Sequence, residues 1–468
     1  MNHRFIYITA IALAMAVSAN AQWTVREFNF HAIARPDATH EGGHESPKLR
    51  TTDHALRTAP NALDDFMLYP VAGTFGKDIF VPYFVDLDKA PVGERDFLCT
   101  DYTFDGHTGH DPYIRSFREQ EIGVPVFAPL DGTVLEVHDG EPDQHTSVDP
   151  NAVANYVVLS HASGYRTEFF HLKRNSITVR PGDFVTAGTQ IGMVGSSGPS
   201  AAPHAHWEVR VNNEPVEPFA GPCRAGGSMF DEQPAVSTAP VAIGVAFSDV
   251  PFSGYPIAPH DTAPRRSIFL RDSRALNFKV EVANVRAGSR YSVSITPPGG
   301  QPQVVSEGML TAYTAYLASA NWSFEAPLMQ AGTWMVTLRV NDSRVVEVPF
   351  TVVNSAAEMV NRPPNTPNVT LEPHALRSSE VAVCRVNGSV LADPDTDVVS
   401  YRYEWRVNDT VVRDVTHAAR TDALARQHLT AGANVSCSVT ASDGALTSAA
   451  VAAHDDVQAP VRRRAAGR

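Results

Sequence analysis

Three things are scarce in this sequence, and each scarcity removes a class of protein. Positive charge is short: 38 Lys and Arg stand against 51 Asp and Glu, a formal charge of −13 over 468 residues. Without a broad basic face a chain cannot displace phosphate counterions, so no nucleic-acid partner is expected. The basic run Arg462-Arg463-Arg464 reads as a solvated tail over 456–468. Long apolar runs are missing beyond the first twenty residues, so no membrane span is expected. Cysteines number four, and no two stand at the short C-x-x-C spacing of metal sites. Of the three formal pairings, Cys99–Cys223 and Cys384–Cys437 are favoured, because each would bracket one candidate domain.

The start of the chain carries an export pattern. Arg4 is followed by the apolar stretch Phe5 to Val17 and by Ala19-Asn20-Ala21, a small-x-small cleavage pattern. A signal peptide over 1–21 is expected, with the protein secreted to a periplasmic or extracellular space where disulfides persist. Hydrophobic content of 43% and charged content of 19% describe a globular chain, and the length suggests about three domains.

Residues 22–65 are polar and rich in His, Thr and Pro, and are expected to form a loosely structured leader. From 66 to 232 the pattern turns to short alternating runs punctuated by Gly and Pro. Val124 to Ala128, Thr133 to His138, Tyr156 to Ser160 and Tyr165 to Leu172 all read as strands. Glycine or apolar residues fall at nearly every third position from Val179 to Gly192, which suits tight turns between brief strands. No convincing amphipathic helix is seen there. A linker around Glu232 to Pro240 leads to 241–354, where Leu276 to Val282, Tyr291 to Ile295 and Trp334 to Val340 alternate at period two, as in a β-sandwich. A second linker, Asn361 to Pro367, leads to a last sandwich over 368–455. There Tyr401, Tyr403, Trp405 and Val407 would share a buried face while Arg402, Glu404 and Arg406 face water. Cys384, Trp405 and Cys437 follow the immunoglobulin order, but Val435 stands where the tyrosine corner would be, so the module is only immunoglobulin-like. The fold class is all-β.

Three fragments carry chemistry: Asp105-Gly-His107-Thr-Gly-His110-Asp111, Thr167-Glu-Phe-Phe-His171-Leu172, and Pro203-His204-Ala-His206-Trp-Glu208. Histidine is the usual zinc ligand, and three protein ligands with an open position make a catalytic site. On a strand, His204, His206 and Glu208 share one face. His107-x-x-x-Asp111 needs only a compact turn, which Gly109 would ease. His110, His138, His145 and His161 read as ordinary hydrogen-bonded histidines. Asp393-Pro-Asp395-Thr-Asp397 superficially suggests a calcium loop, but Val398 holds the position where such a loop needs glycine. A solvated turn is expected instead.

His-x-x-x-Asp with a distant His-x-His resembles the lysostaphin/LytM family of peptidoglycan endopeptidases. Gly123 to Val134, Phe170-His171-Leu172, the Val-x-x-Gly-Asp-x-Val-x-x-Gly repeat and Gly195-Ser-Ser-Gly198 extend the likeness over about 66–223. The resemblance implies Zn2+ held by His107, Asp111 and His206, with His171 and His204 as metal-free catalytic histidines. It implies a zinc metalloendopeptidase acting on peptidoglycan peptides. Pro112 to Ile122 is longer than in typical members, and Pro199 to Pro203 lacks the usual Thr and Gly; both bear on substrate preference. The alternative is a non-catalytic envelope-binding or adhesion protein, in which the sandwiches meet a wall or protein partner. In the leader, Thr39-His40-Glu-Gly-Gly-His44 is a candidate inhibitory segment for the fourth zinc position.

Overall fold

The computed structural model describes residues 23–32, 66–162, 164–252, 263–310, 315–326 and 329–460. The expected signal peptide, the His40–His44 segment and the arginine tail lie outside them. Alternation at period two carries through into the architecture. In the strand Ser400–Val407, Tyr401, Tyr403 and Trp405 are buried while Arg402 is exposed. Nearly every regular element is a strand, and no helix among the described residues is long and apolar enough to cross a membrane.

The first block is built on a six-stranded antiparallel sheet. Its strands run, in spatial order, Glu214–Pro215, His206–Val211, Tyr165–Phe170, Tyr156–Ser160, Gly132–His138 and Phe184–Val185. Two smaller ribbons pack with it: Pro125–Phe127 with Gln190–Met193, and Ile79–Phe80 with Tyr113–Ile114. One short helix, Phe117–Ile122, sits in the long segment after Asp111. Ser116 caps it by accepting from the Glu119 N–H, and Gly123 ends it at φ 109°. Six residues span too few turns to display a helical period, so this helix was not readable from the pattern. Cys99–Cys223 closes this block, and Cys384–Cys437 the third.

In the second block a four-stranded and a five-stranded sheet enclose one core, with Phe247 and Phe278 of the first against Phe350 of the second. The leader is corrected here. Thr24–Ala32 is a strand, paired antiparallel with Ala315–Glu325 at the edge of the four-stranded sheet. Phe28 stacks on Trp322 at 5.0 Å, and Trp23 meets Trp334 edge-on at 5.9 Å. The pairing shifts register between Val25 and Glu27, so the inward side moves from odd to even positions. A bulge breaks strict alternation in this way, which hid the strand.

The third block pairs a three-stranded with a four-stranded sheet around Trp405 and the Cys384–Cys437 bridge. Both later blocks pack directly on the first. Ile243, Ala283, Val381, Ala418, Ala419 and Ala423 belong to the same buried apolar cluster as Val126 and Phe127. Arg426 pairs with Asp131, Arg286 with Asp101, and the Ala418 N–H donates to Gly123 O at 2.8 Å. The Asp393–Asp397 turn is not solvated, contrary to expectation. Asp393 and Asp395 are buried, because Ser267 donates to Pro394 O, the Phe247 N–H donates to Thr396 Oγ1, and Arg362 pairs with Asp395.

Candidate metal centre

His107, Asp111 and His206 converge, with one ligand atom from each lying within 4.8 Å of the others. His107 sits in a turn closed by its own N–H to Phe104 O. Its ring donates from Nδ1 to Phe84 O at 2.8 Å, which leaves Nε2 as a lone pair. Asp111 is pinned by its N–H to Tyr83 O at 3.0 Å. His206 opens the strand His206–Val211. The His107 Nε2 lone pair stands 3.2 Å from Asp111 Oδ2, a buried oxygen with no hydrogen-bond partner among the described residues, and 3.3 Å from His206 Nδ1. Two acceptors held so close repel unless a positive charge lies between them. Nitrogens about 2.0–2.1 Å from one tetrahedral zinc stand about 3.3 Å apart, so the donor set and spacing fit such an ion.

Gly109 acts differently from what the sequence suggested. It does not adopt a positive φ. A Cβ there would lie 2.5 Å from Trp207 O and 2.9 Å from His206 Nε2. Glycine is needed so that the ligand loop can lie flat on the strand, where His110 and Trp207 exchange backbone hydrogen bonds of 2.8 and 2.9 Å.

Glu208 orients His206. Its Oε1 accepts from His206 Nε2 at 3.0 Å and from Thr108 Oγ1 at 2.7 Å, while Arg210 lies 2.6 Å from Oε2. The hydrogen bond at Nε2 leaves Nδ1 to face the centre. Glu208→Ala is therefore expected to weaken metal affinity by about 10- to 100-fold, measurable by competition with a chromogenic chelator. Burial pushes Asp111 up, but His107 and His206 beside it outweigh that and hold it well below the usual carboxylate range. Burial likewise disfavours the charged His206 ring, yet Asp111 and Glu208 overcome it and raise the metal-free imidazole to about 10. A metal must displace that proton. Apparent affinity should then rise by about tenfold per pH unit from pH 6 to 9, read as proton release in titrations at several pH values. The same raised value stabilises the metal-free fold fully below pH 6.5, and that contribution fades as pH climbs toward 10.

His171 and His204 complete the cluster, with ring centroids 4.6 Å apart. His171 follows the strand Tyr165–Phe170 in the left-handed region, at φ 59°, a strain found mostly where function demands a set direction. Its Nδ1 donates to Ser197 O at 2.7 Å. His204 lies just before the strand, bridged to Tyr113 and Gly195. Its Nδ1 donates to Ala202 O at 2.8 Å, and its buried Nε2 has no hydrogen-bond partner among the described residues. Tyr113 stacks on it at 4.5 Å with planes 5° apart. Burial lowers the His204 imidazole, partly opposed by Asp111. The four histidines read as ordinary from the sequence are occupied elsewhere: His110 with Glu217, His138 with Glu141, His145 with Gly198 O, His161 with Asp131 O and Thr167. Sequence reasoning missed Tyr113, Glu208 as a partner of His206, and the carbonyls of Phe84, Ser197 and Ala202. Only Glu208 had a signal, two positions beyond a histidine on a strand.

Residues 116–218 match the model of peptidase family M23. The matched span holds His171, His204 and His206 and begins just after His107 and Asp111. Over 96 residues the chain is 38% identical to peptidoglycan DD-endopeptidase ShyB of Vibrio cholerae, covering 20% of each protein. Over 98 residues it is 35% identical to DD-carboxypeptidase/endopeptidase Mpg of Neisseria meningitidis, covering 21% of this chain and 20% of that one. A crystal structure of a zinc containing peptidase from Vibrio cholerae is 28% identical, over 32% of this chain and 39% of that one, with a TM-score of 0.19. The chain thus spans about a fifth of the length of these curated relatives. On the family match, this chain carries a peptidase domain of family M23.

Proposed function

We propose that this protein is a secreted zinc-dependent endopeptidase that hydrolyses peptide cross-links of bacterial peptidoglycan. The observation that carries the reading is the convergence of His107, Asp111 and His206 beside two further histidine rings. Support for the substrate comes from relatives named as peptidoglycan DD-endopeptidases, which makes the D,D cross-link the first bond to test. Zinc held by His107, Asp111 and His206 would activate water at neutral pH and polarise the scissile carbonyl. His204 is neutral by burial and locked through Nδ1, so Nε2 is the atom that takes the proton of the attacking water. His171 is likewise fixed through Nδ1, and its Nε2 is assigned to the developing oxyanion or to protonating the departing amine. Tyr113 holds the His204 plane.

The test is release of new amino groups from purified sacculi by the mature protein, with mass spectrometry of the fragments. Chelator-sensitive release supports the reading. A folded, zinc-loaded protein that releases nothing from sacculi or from D,D cross-linked peptides overturns it. His204→Ala is expected to keep its zinc while losing about 10²- to 10⁴-fold in rate, the share of a general base.

A further inference from the structure

The three blocks meet around a partly open pocket of ≈ 40 Å³, lined by Arg115 and Glu119 from the first, Arg265 and Glu281 from the second, and Asp393 and Asp397 from the third. Room of that size takes a small ion with one or two waters, at about 10–15 Å³ for each water centre. Most of the charge around it is already paired. Glu119 is held by Arg115, Glu281 by Lys279 at 3.3 Å, and Asp395 by Arg362 at 2.7 Å. Asp393 is the exception. It is 1% exposed, and its Oδ1 accepts from the backbone N–H groups of Asp395 and Asp397. Its Oδ2 is buried with no hydrogen-bond partner among the described residues. With Oδ1 taken by its own loop, Oδ2 is the oxygen that Asp393 offers to the space it lines.

Asp397 is the second carboxylate. Arg265 is the cation near it, but that guanidinium also donates to Thr396 O at 2.9 Å. Asp443 adds another negative charge close by. Asp443 is partly exposed and held by Asn361 and its own loop, so the balance at the pocket is Asp393 and Asp397 against one guanidinium, an excess of one negative charge. An uncompensated buried charge of this kind is costly, and a bound cation is one way to relieve it. Burial first, and then repulsion from neighbouring carboxylates (Asp395 and Asp443 for the one, Asp393 for the other), pushes Asp393 and Asp397 both up to about 6. All the available donors are oxygen, with no histidine or cysteine lining the space. Such a set suits a hard cation taking carboxylates, main-chain carbonyls and water, and not zinc.

We propose that this junction is a divalent-cation site of the calcium class, with Asp393 and Asp397 as its charged ligands, which fastens the two sandwich blocks to the peptidase block. The Asp393–Asp397 loop already links second and third blocks through Phe247, Ser267 and Arg265. An ion there would couple all three. Two carboxylates make a weak site, with a dissociation constant of about 10⁻⁴ to 10⁻³ M as in extracellular modules.

The experiment is thermal unfolding and titration calorimetry of the full-length, zinc-loaded protein with calcium chloride up to about 10 mM, ten times the weak end of that range. The expected result is a saturable rise in Tm and one calorimetric binding event. Asp393→Asn keeps an oxygen for the Asp395 and Asp397 N–H groups and removes a charge. It should melt higher than the parent without calcium and lose the calcium response. Asp397→Asn should lose the response as well. No calcium effect on the parent overturns the proposal, and so does an equal effect on the parent and both variants.

Discussion

Replacing His206 with alanine is expected to remove both metal and hydrolysis, with a rate loss of about 10³-fold or more. The size follows from losing an ion whose charge stabilisation is worth several kcal/mol, at about 1.4 kcal/mol per tenfold. His206 is the hinge of the cluster. It is bonded to Asp111 at 2.8 Å on one ring nitrogen and to Glu208 at 3.0 Å on the other. Alanine leaves two buried carboxylates facing an empty space without the cation they share, which also strains the fold. The measurement is zinc content by mass spectrometry beside amino-group release, on protein shown to be folded by circular dichroism. A folded variant that keeps stoichiometric zinc and full rate would remove His206 from the ligand set.

Gly109→Ala is expected to damage the centre nearly as much, although glycine 109 ligates nothing. The new methyl would lie 2.5 Å from a backbone oxygen, which cannot rotate away. The loop bearing His107 and Asp111 would have to lift from the strand bearing His206. That movement breaks the paired bonds between His110 and Trp207 and pulls Thr108 away from Glu208. A loss of about 3 kcal/mol in stability is expected, the upper range for overpacking, with weaker zinc retention alongside it. Gly227→Ala is the control. A Cβ there meets nothing within 4 Å, so stability should stay within about 0.5 kcal/mol. Chemical denaturation of the three proteins, with and without chelator, separates the loop effect from loss of the ion. Equal midpoints for Gly109→Ala and its parent would show that the loop has slack.

The contrast between these residues tells what a sequence can and cannot carry. His107, Asp111 and His206 were picked out together because His-x-x-x-Asp with a distant His-x-His resembles a family pattern, and the structure brings these three side chains together. Tyr401, Tyr403 and Trp405 were legible because a half-buried strand repeats at two. Gly109 was noticed for the wrong reason: its conformational freedom is a local property, whereas its actual role depends on a strand about a hundred residues away. Backbone acceptors such as Phe84 O, Ser197 O and Ala202 O have no side-chain identity to read. The strand Thr24–Ala32 was masked by one bulge that reversed its parity. Asp393 to Asp397 looked like a surface turn because burial between blocks leaves no periodic trace in either one.

The N-terminal strand also sets an order of events during synthesis. Arg26 meets Glu325 across 299 residues of chain, and Thr24–Ala32 has no sheet to join until Ala315–Glu325 has been made. Meanwhile its backbone and the aromatic rings of Trp23 and Phe28 stay unpaired, the kind of segment that chaperones hold. The peptidase core waits longer still, since Ala418, Ala419 and Ala423 help to close it. Pairings this distant fold slowly. A chain that stops short of Ala423 therefore leaves this shared apolar core open, and the N-terminal strand and the first block both reach their final packing only late in synthesis.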